Sequence, residues 1–200
     1  MSDAKWYILA SEPIVDHPFL KVTMEKLSLP DGQIIDDWPI VDACDYVNAV
    51  VFNEEGQALI LEGYKHGVRR TSWQVVGGYL EGQEDPLTAI QRELLEETGY
   101  HSDEWRYLGS FVVDANRRVG TGHFFIGFNA RPAAEPTHQD LEDFTIRWVS
   151  VKELLYAVMD GRINILSYAL NITLALTTLS KLDQYRALSY LLANGNGPPR

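Results

Sequence analysis

A chain of 200 residues with 46% hydrophobic and 22% charged residues has the make-up of a soluble globular protein with a full core. Its net charge of -11 and pI near 4.8 argue against nonspecific binding of nucleic acid, which asks for a basic surface. A single cysteine, Cys44, excludes an internal disulfide framework and any Cys-based zinc site, and is expected to be a small core residue.

From Phe19 to Leu29 apolar and polar residues alternate roughly as in a half-buried strand. "PDG" at Pro30 to Gly32 turns the chain, and "QIIDDWPIV", ending at Val41, returns as a partner strand. The more apolar "YVNAVVF", the turn "NEEG" and "QALILEGY" make a second hairpin, and "WQVVGG" is a short strand ending in Gly77-Gly78. Asp85-Pro86 opens a helix, with Asp85 as N-cap and proline at the first helical position. Leu87, Ile90 and Leu94 share one of its faces, and Gly99 suits its end. Strands resume at "WRYLGSFVV", "GHFFIGFNA" and "FTIRWVSV". "SVKE", Ser150 to Glu153, is a capping-box pattern for a helix ending near Gly161. Further helices are expected at about Asn164 to Leu179 and Lys181 to Ala193, before the tail "NGNGPPR". The apolar window Ile163 to Leu179 is short for a membrane span and broken by polar residues. No basic region followed by an apolar run marks the N-terminal stretch, so a cytoplasmic protein with no membrane partner is the expectation. The order of elements predicts an α+β fold, a mixed sheet with helices packed on it.

Three acids break the local rules. Glu93, Glu96 and Glu97 relate as i, i+3 and i+4 and share a helix face. Repulsion between Glu93 and Glu97 costs roughly 0.2–0.5 kcal/mol, and acids near a helix C-terminus also oppose its dipole. Arg92, four residues before Glu96, relieves one charge and not all three. Carboxylates on one face are what a hard divalent cation such as Mg²⁺ requires, together with substrate phosphates. Gly77-Gly78 lets the backbone turn tightly, so that a main-chain carbonyl can approach the cation. The bland alternative for acids on a helix is a solvated face.

The longer stretch "GYLEGQEDPLTAIQRELLEETGY" is more specific. Gly78, Glu84, Arg92, Glu93, Glu96, Glu97 and Gly99 stand at spacings that resemble the signature box of the Nudix hydrolases, with Tyr100 replacing an aliphatic residue at the last position. The resemblance implies a Nudix-type α/β/α sandwich with a mixed sheet and an N-terminal antiparallel β-element. It also implies hydrolysis of a nucleoside diphosphate linked to another group, with Mg²⁺ or Mn²⁺ as cofactor. Carried over by position, Glu93 and Glu97 are the main metal ligands, Glu96 shares that work, and the Gly77 carbonyl is a further ligand. Arg92 and Glu84 form a supporting ion pair. A later loop acid acts as base in many members; Glu135, Asp140 and Glu142 are the candidates, with Glu142 preferred.

The two hairpins running into "LILEGYKHGV" resemble the ADP-ribose and nucleoside-diphosphate-sugar pyrophosphatase branch. That implies a division into a dimerising β-element at residues 1–45 that also serves the substrate pocket, a hydrolase domain at 46–194 and a flexible tail at 195–200. The implied partners are a nucleotide substrate and a second copy of the chain, in a homodimer. Two features depart from the branch: Lys65 stands where arginine is usual, and no proline occurs between His101 and Arg131. Lys65, Arg69 and Arg70 form a basic cluster suited to substrate phosphates, though such residues are often only solvated. Trp6, Phe19, Trp38 and Tyr46 are candidates for stacking on a base, against a packing role. His66, His101 and His123 lack paired metal spacing. Rival functions are a nucleotide sensor without catalysis, an isoprenoid-diphosphate isomerase, and a house-cleaning nucleoside-triphosphate pyrophosphohydrolase.

Overall fold

A computed structural model describes residues 5–137 and 144–181. In chain order the first strands are β1 (Tyr7–His17), β2 (Leu20–Ser28), β3 (Ile34–Ala43) and β4 (Tyr46–Val51). They are followed by β5 (Ala58–Lys65), β6 (Arg70–Gln74), β7 (Val76–Tyr79) and helix α1 (Pro86–Thr98). Then come β8 (Tyr100–His101), β9 (Glu104–Asp114), β10 (Arg118–Phe128), β11 (Arg131–Pro132) and β12 (Phe144–Val149). Helices α2 (Val151–Met159) and α3 (Leu166–Leu179) close the described chain. The helix expected at Lys181 to Ala193 and the tail at 195–200 lie outside the described residues, apart from Lys181 itself.

The chain forms two compact units. The smaller takes residues 1–46 and 110–122, the larger 47–109 and 123–200. In the smaller unit β1, β2 and β3 make an antiparallel meander, and β3 meets the start of β10 in parallel at Val41 and Arg118. The hairpin expected from Phe19 onward is β2 and β3, and an earlier strand, β1, precedes it. Its eleven residues are all exposed, so β1 has no buried face to impose an alternating pattern. Cys44 is only half-buried, a correction to its expected place in the core. Asp114 accepts from the Asn116 and Arg117 amides at 2.7 Å each, which closes the "DANRR" turn and holds its carboxyl below the ordinary range.

The larger unit carries the sandwich. The order β10-β4-β7 forms one sheet, to which β9 adds through β10, and β12-β5-β6 forms another. Successive residues of β5 send Ala58 and Ile60 to one core and Leu59 and Leu61 to the other, as period-two geometry requires. Val50, Phe52, Val75 and Ile126 pack with Leu154 and Ala157 of α2 and with Ile172, Ala175, Leu176 and Leu179 of α3. Val47, Ala49, Val51, Val76 and Phe125 pack with Ala89, Ile90 and Leu94 of α1. Sheet buried on both sides explains why "AVVF" and "ALIL" read as continuous apolar runs. An α/β/α arrangement follows, with α1 the helix on one face among the described residues.

Candidate active site

Local chemistry fixes where α1 starts and stops. The Asp85 carboxylate accepts from the Leu87 amide at 2.9 Å and the Thr88 amide at 3.3 Å, and Pro86 needs no donor there. At the far end Gly99 adopts φ 72° and its N–H caps the Leu95 carbonyl. The Ala133 and Ala134 amides then donate to the Gly99 carbonyl, and the Thr137 amide donates to the Glu96 carbonyl at 3.0 Å. The helix end that carries the acids is therefore held by a second segment of chain.

On this frame the box acids part company. The Glu93 side chain is 11% exposed, against 49% for Glu96. Arg92 joins them. Its Nε and Nη2 donate to the two Glu84 oxygens at 3.2 and 3.0 Å, and Nη2 also donates to the Tyr79 carbonyl at 3.2 Å. Nη1 donates to Glu93 at 2.9 Å and to Glu96 at 3.1 Å. All five guanidinium N–H groups are thus engaged, a use that lysine, a point charge, cannot copy. The hydrogen bonds from Arg92 hold the Glu84 carboxyl below its ordinary value, and Glu84 first among the acids pushes Arg92 above its own.

The glycine pair meets the helix from the strand side. The Gly77 N–H donates to Glu97 Oε2 at 3.3 Å. A Cβ at Gly78 would overlap the Glu93 carboxylate, and one at Gly77 would overlap the Asn48 Oδ1 and the Val47 carbonyl. Both glycines are needed because something occupies the space of a side chain. So Glu84, Arg92, Glu93, Glu96, Glu97 and Gly77, separated by up to twenty positions, are brought together here.

Among the described residues, no three His, Cys, Asp or Glu side chains stand as a finished cage for a metal ion. Arg92 Nη1 sits between Glu93 and Glu96 and takes one oxygen of each. The donor chemistry nonetheless fits a hard divalent cation, the kind of ion a box of this type implies. The Glu93 carboxylate takes the space that a Cβ at Gly78 would fill, and carboxylate oxygens are the donors such an ion prefers.

Other candidates lie elsewhere. Lys65 and Arg70 are opposite residues on β5 and β6, and Arg69 occupies the turn between those strands at φ 54°. Arg70 donates to the Gly161 carbonyl at 3.2 Å. Asp140 and Glu142 lie outside the described residues, and Glu135 is exposed. Trp6 and Trp38 pack edge to face at 5.2 Å, and Trp38 Nε1 donates to the Asn116 carbonyl, so both serve the smaller unit. Tyr100 packs edge-on against Trp148, 5.2 Å between ring centroids, which accounts for an aromatic at the box's aliphatic position. The Tyr79 carbonyl that Arg92 holds is not foreseen from the sequence, because a backbone acceptor leaves no trace there.

The NUDIX domain matches residues 44–167 of this chain, which therefore belongs to the Nudix family and is a Nudix hydrolase. A CMP-5'-(N-acetyl-N-hydroxy-3-aminopropyl)phosphonate hydrolase of Streptomyces rubellomurinus is 25% identical over 158 residues, covering 79% of this chain and 76% of its own. A methanol dehydrogenase activator of Bacillus methanolicus is 24% identical, covering 78% of this chain and 84% of its own. An ADP-ribose pyrophosphatase of Bacillus subtilis is 24% identical, covering 68% and 73%. The crystal structure of an ADP compounds hydrolase superposes with a TM-score of 0.78 at 15% identity, over 88% of this chain and 95% of its own. The fold is that of the family, and the ADP-ribose pyrophosphatase and ADP compounds hydrolase among these relatives agree with the resemblance to the ADP-ribose branch.

Proposed function

We propose that this protein hydrolyses the diphosphate bridge of a nucleoside diphosphate joined to a sugar, ADP-ribose or a related nucleotide sugar, with Mg²⁺ or Mn²⁺. The products are a nucleoside monophosphate and a sugar phosphate. One observation carries the reading: Arg92 commits all five donors to holding Glu84, Glu93, Glu96 and the Tyr79 carbonyl. A solvated acidic face has no use for such a frame, whereas a site that must keep several carboxylates at fixed positions does.

In this reading Glu93, Glu96, Glu97 and the Gly77 carbonyl hold the cation. When bound, it neutralises phosphate charge and raises the acidity of water. Arg92 and Glu84 orient the acids, and the Gly77 N–H fixes the carboxylate of Glu97. Lys65 and Arg69 at the β5–β6 turn take the phosphate-directed role, beside Arg70 with its bond to Gly161. Glu142 serves as base. The unit of residues 1–46 and 110–122 pairs two copies through β1, an edge strand with Ile8, Leu9, Ile14 and Val15 exposed. The ADP-ribose pyrophosphatase relative supports the substrate class, and the CMP-phosphonate hydrolase relative supports a nucleotide on one side of the bond.

The test is a substrate panel with Mg²⁺, Mn²⁺ or chelator, its products separated by chromatography. It comprises ADP-ribose, other nucleotide sugars, a CMP-linked phosphonate, dinucleotides and nucleoside triphosphates. Cation-dependent release of a nucleoside monophosphate from a nucleotide sugar is expected. Turnover of triphosphates alone would favour a house-cleaning enzyme, and no turnover at all a sensor.

A further inference from the structure

Strand register carries two side chains alongside the proposed cation site. A Cβ at Gly122 would meet the Tyr46 ring, which sets the starts of β4 and β10 side by side. Further along, the Phe52 amide donates to the Gly127 carbonyl and the Ala130 amide donates to the Phe52 carbonyl. Bonds from one residue to positions on either side of its neighbour are the parallel pattern, so Val47 stands level with His123. The Val47 carbonyl and Asn48 lie where Gly77 would carry a Cβ, so Gly77 shares that level on β7, the next strand over. Faces follow from alternation. Val47 and Phe125 both pack in the core under α1, and His123, two residues before Phe125, is directed to the same face. Tyr107 of β9 joins that face, its ring centroid 5.1 Å from that of Phe125. Phe125 is 4% exposed and Tyr107 55%, so packing accounts for the first ring and for less than half of the second. His123 is half-buried, and its ring makes no hydrogen bond or ion pair among the described residues. Neighbouring strands lie about 4.8 Å apart, which puts β10 about 10 Å and β9 about 14 Å from Gly77 along the sheet.

We infer that His123 and Tyr107 form the subsite for the nucleoside half of the substrate: the base stacks on Tyr107, and His123 donates to an oxygen of the ribose or of the adjoining phosphate. An exposed aromatic ring asks for a planar partner, which the base has and a sugar phosphate lacks. An imidazole N–H nearer the cation suits an oxygen. The inference rests on the proposed function, which supplies the cation at Gly77 and Glu97 from which this strip extends.

The experiment measures KM and kcat for ADP-ribose, with inhibition by AMP and by ribose 5-phosphate, in wild type, Tyr107→Ala, Tyr107→Phe and His123→Gln. Mn²⁺ binding, followed by electron paramagnetic resonance, and melting temperature are recorded alongside. In Tyr107→Ala and His123→Gln, KM and the inhibition constant of AMP should each rise about tenfold, while ribose 5-phosphate inhibition and Mn²⁺ binding stay as in wild type. Tyr107→Phe, which keeps the ring, should match wild type. Unchanged inhibition by AMP overturns the proposal: the strip then serves the sugar half if ribose 5-phosphate inhibition weakens, and is plain sheet surface if it does not. Weaker Mn²⁺ binding in His123→Gln also overturns it, by moving His123 into the cation site. If His123→Gln does not fold, the two Tyr107 variants carry the comparison. Absence of both turnover and Mn²⁺ binding in wild type would overturn the functional reading itself, and this inference with it.

Discussion

At the scale of the residue, the site is built from missing atoms as much as from present ones. Gly78 has no Cβ because the Glu93 carboxylate stands there, and the same is true of Gly77 with Asn48 and the Val47 carbonyl. These two collisions differ in kind. Gly78→Ala meets the end of a side chain, and overpacking of that sort costs about 1–3 kcal/mol. We expect a folded protein whose turnover falls about 10–100-fold as Glu93 is displaced. Full turnover in that variant, measured beside its melting temperature, would remove Glu93 from the site. The Glu84–Arg92 pair gives a pH signature. Because the folded-state carboxyl lies below its ordinary 4.5, its contribution is complete above that value and is lost as pH falls through the depressed one. Glu84→Gln should therefore melt lower than wild type near neutrality, with the gap closing in acid below about pH 4.5. A pH-independent gap would mean that the pair stabilises through packing alone. The carboxylate positions were legible in the sequence because a helix fixes i, i+3 and i+4 on one face. The Tyr79 carbonyl was not, since any residue supplies one.

At the scale of the element, α1 was the most legible part of the chain. Asp85, Pro86 and Gly99 are each required by a specific terminal geometry, and the helix runs from Pro86 to Thr98 between them. Asp85→Ala removes the acceptor for two amides and should cost about 1 kcal/mol, read as a lower denaturation midpoint at unchanged slope. No change in midpoint would show that Pro86 alone sets the start. Strand β1 was illegible for the opposite reason. A strand exposed on both faces writes no hydrophobic period, and Tyr7–His17 offers none. The strap Ala133 to Thr137, bonded to Gly99 and Glu96 at the end of α1, was also hidden, because it is made of backbone donors alone.

At the scale of the whole molecule, composition and charge argue against nonspecific nucleic-acid binding but say nothing of how the chain divides. The smaller unit recruits residues 110–122 from deep within the sequence, which a reading by segments places in the main domain. If β1 pairs two copies, wild type is a dimer by light scattering, and Ile8→Lys with Ile14→Lys on that edge should give monomers. A wild-type monomer at micromolar concentration would end that proposal. The central claim is that the crowded glutamates of α1 hold a cation for diphosphate hydrolysis. It is tested most directly by Glu97→Gln, assayed on ADP-ribose at saturating Mg²⁺ or Mn²⁺ with products separated. Wild type should release AMP and ribose phosphate, with turnover reduced by at least about 10–100-fold in the folded variant. Turnover in Glu97→Gln equal to that of wild type would contradict it.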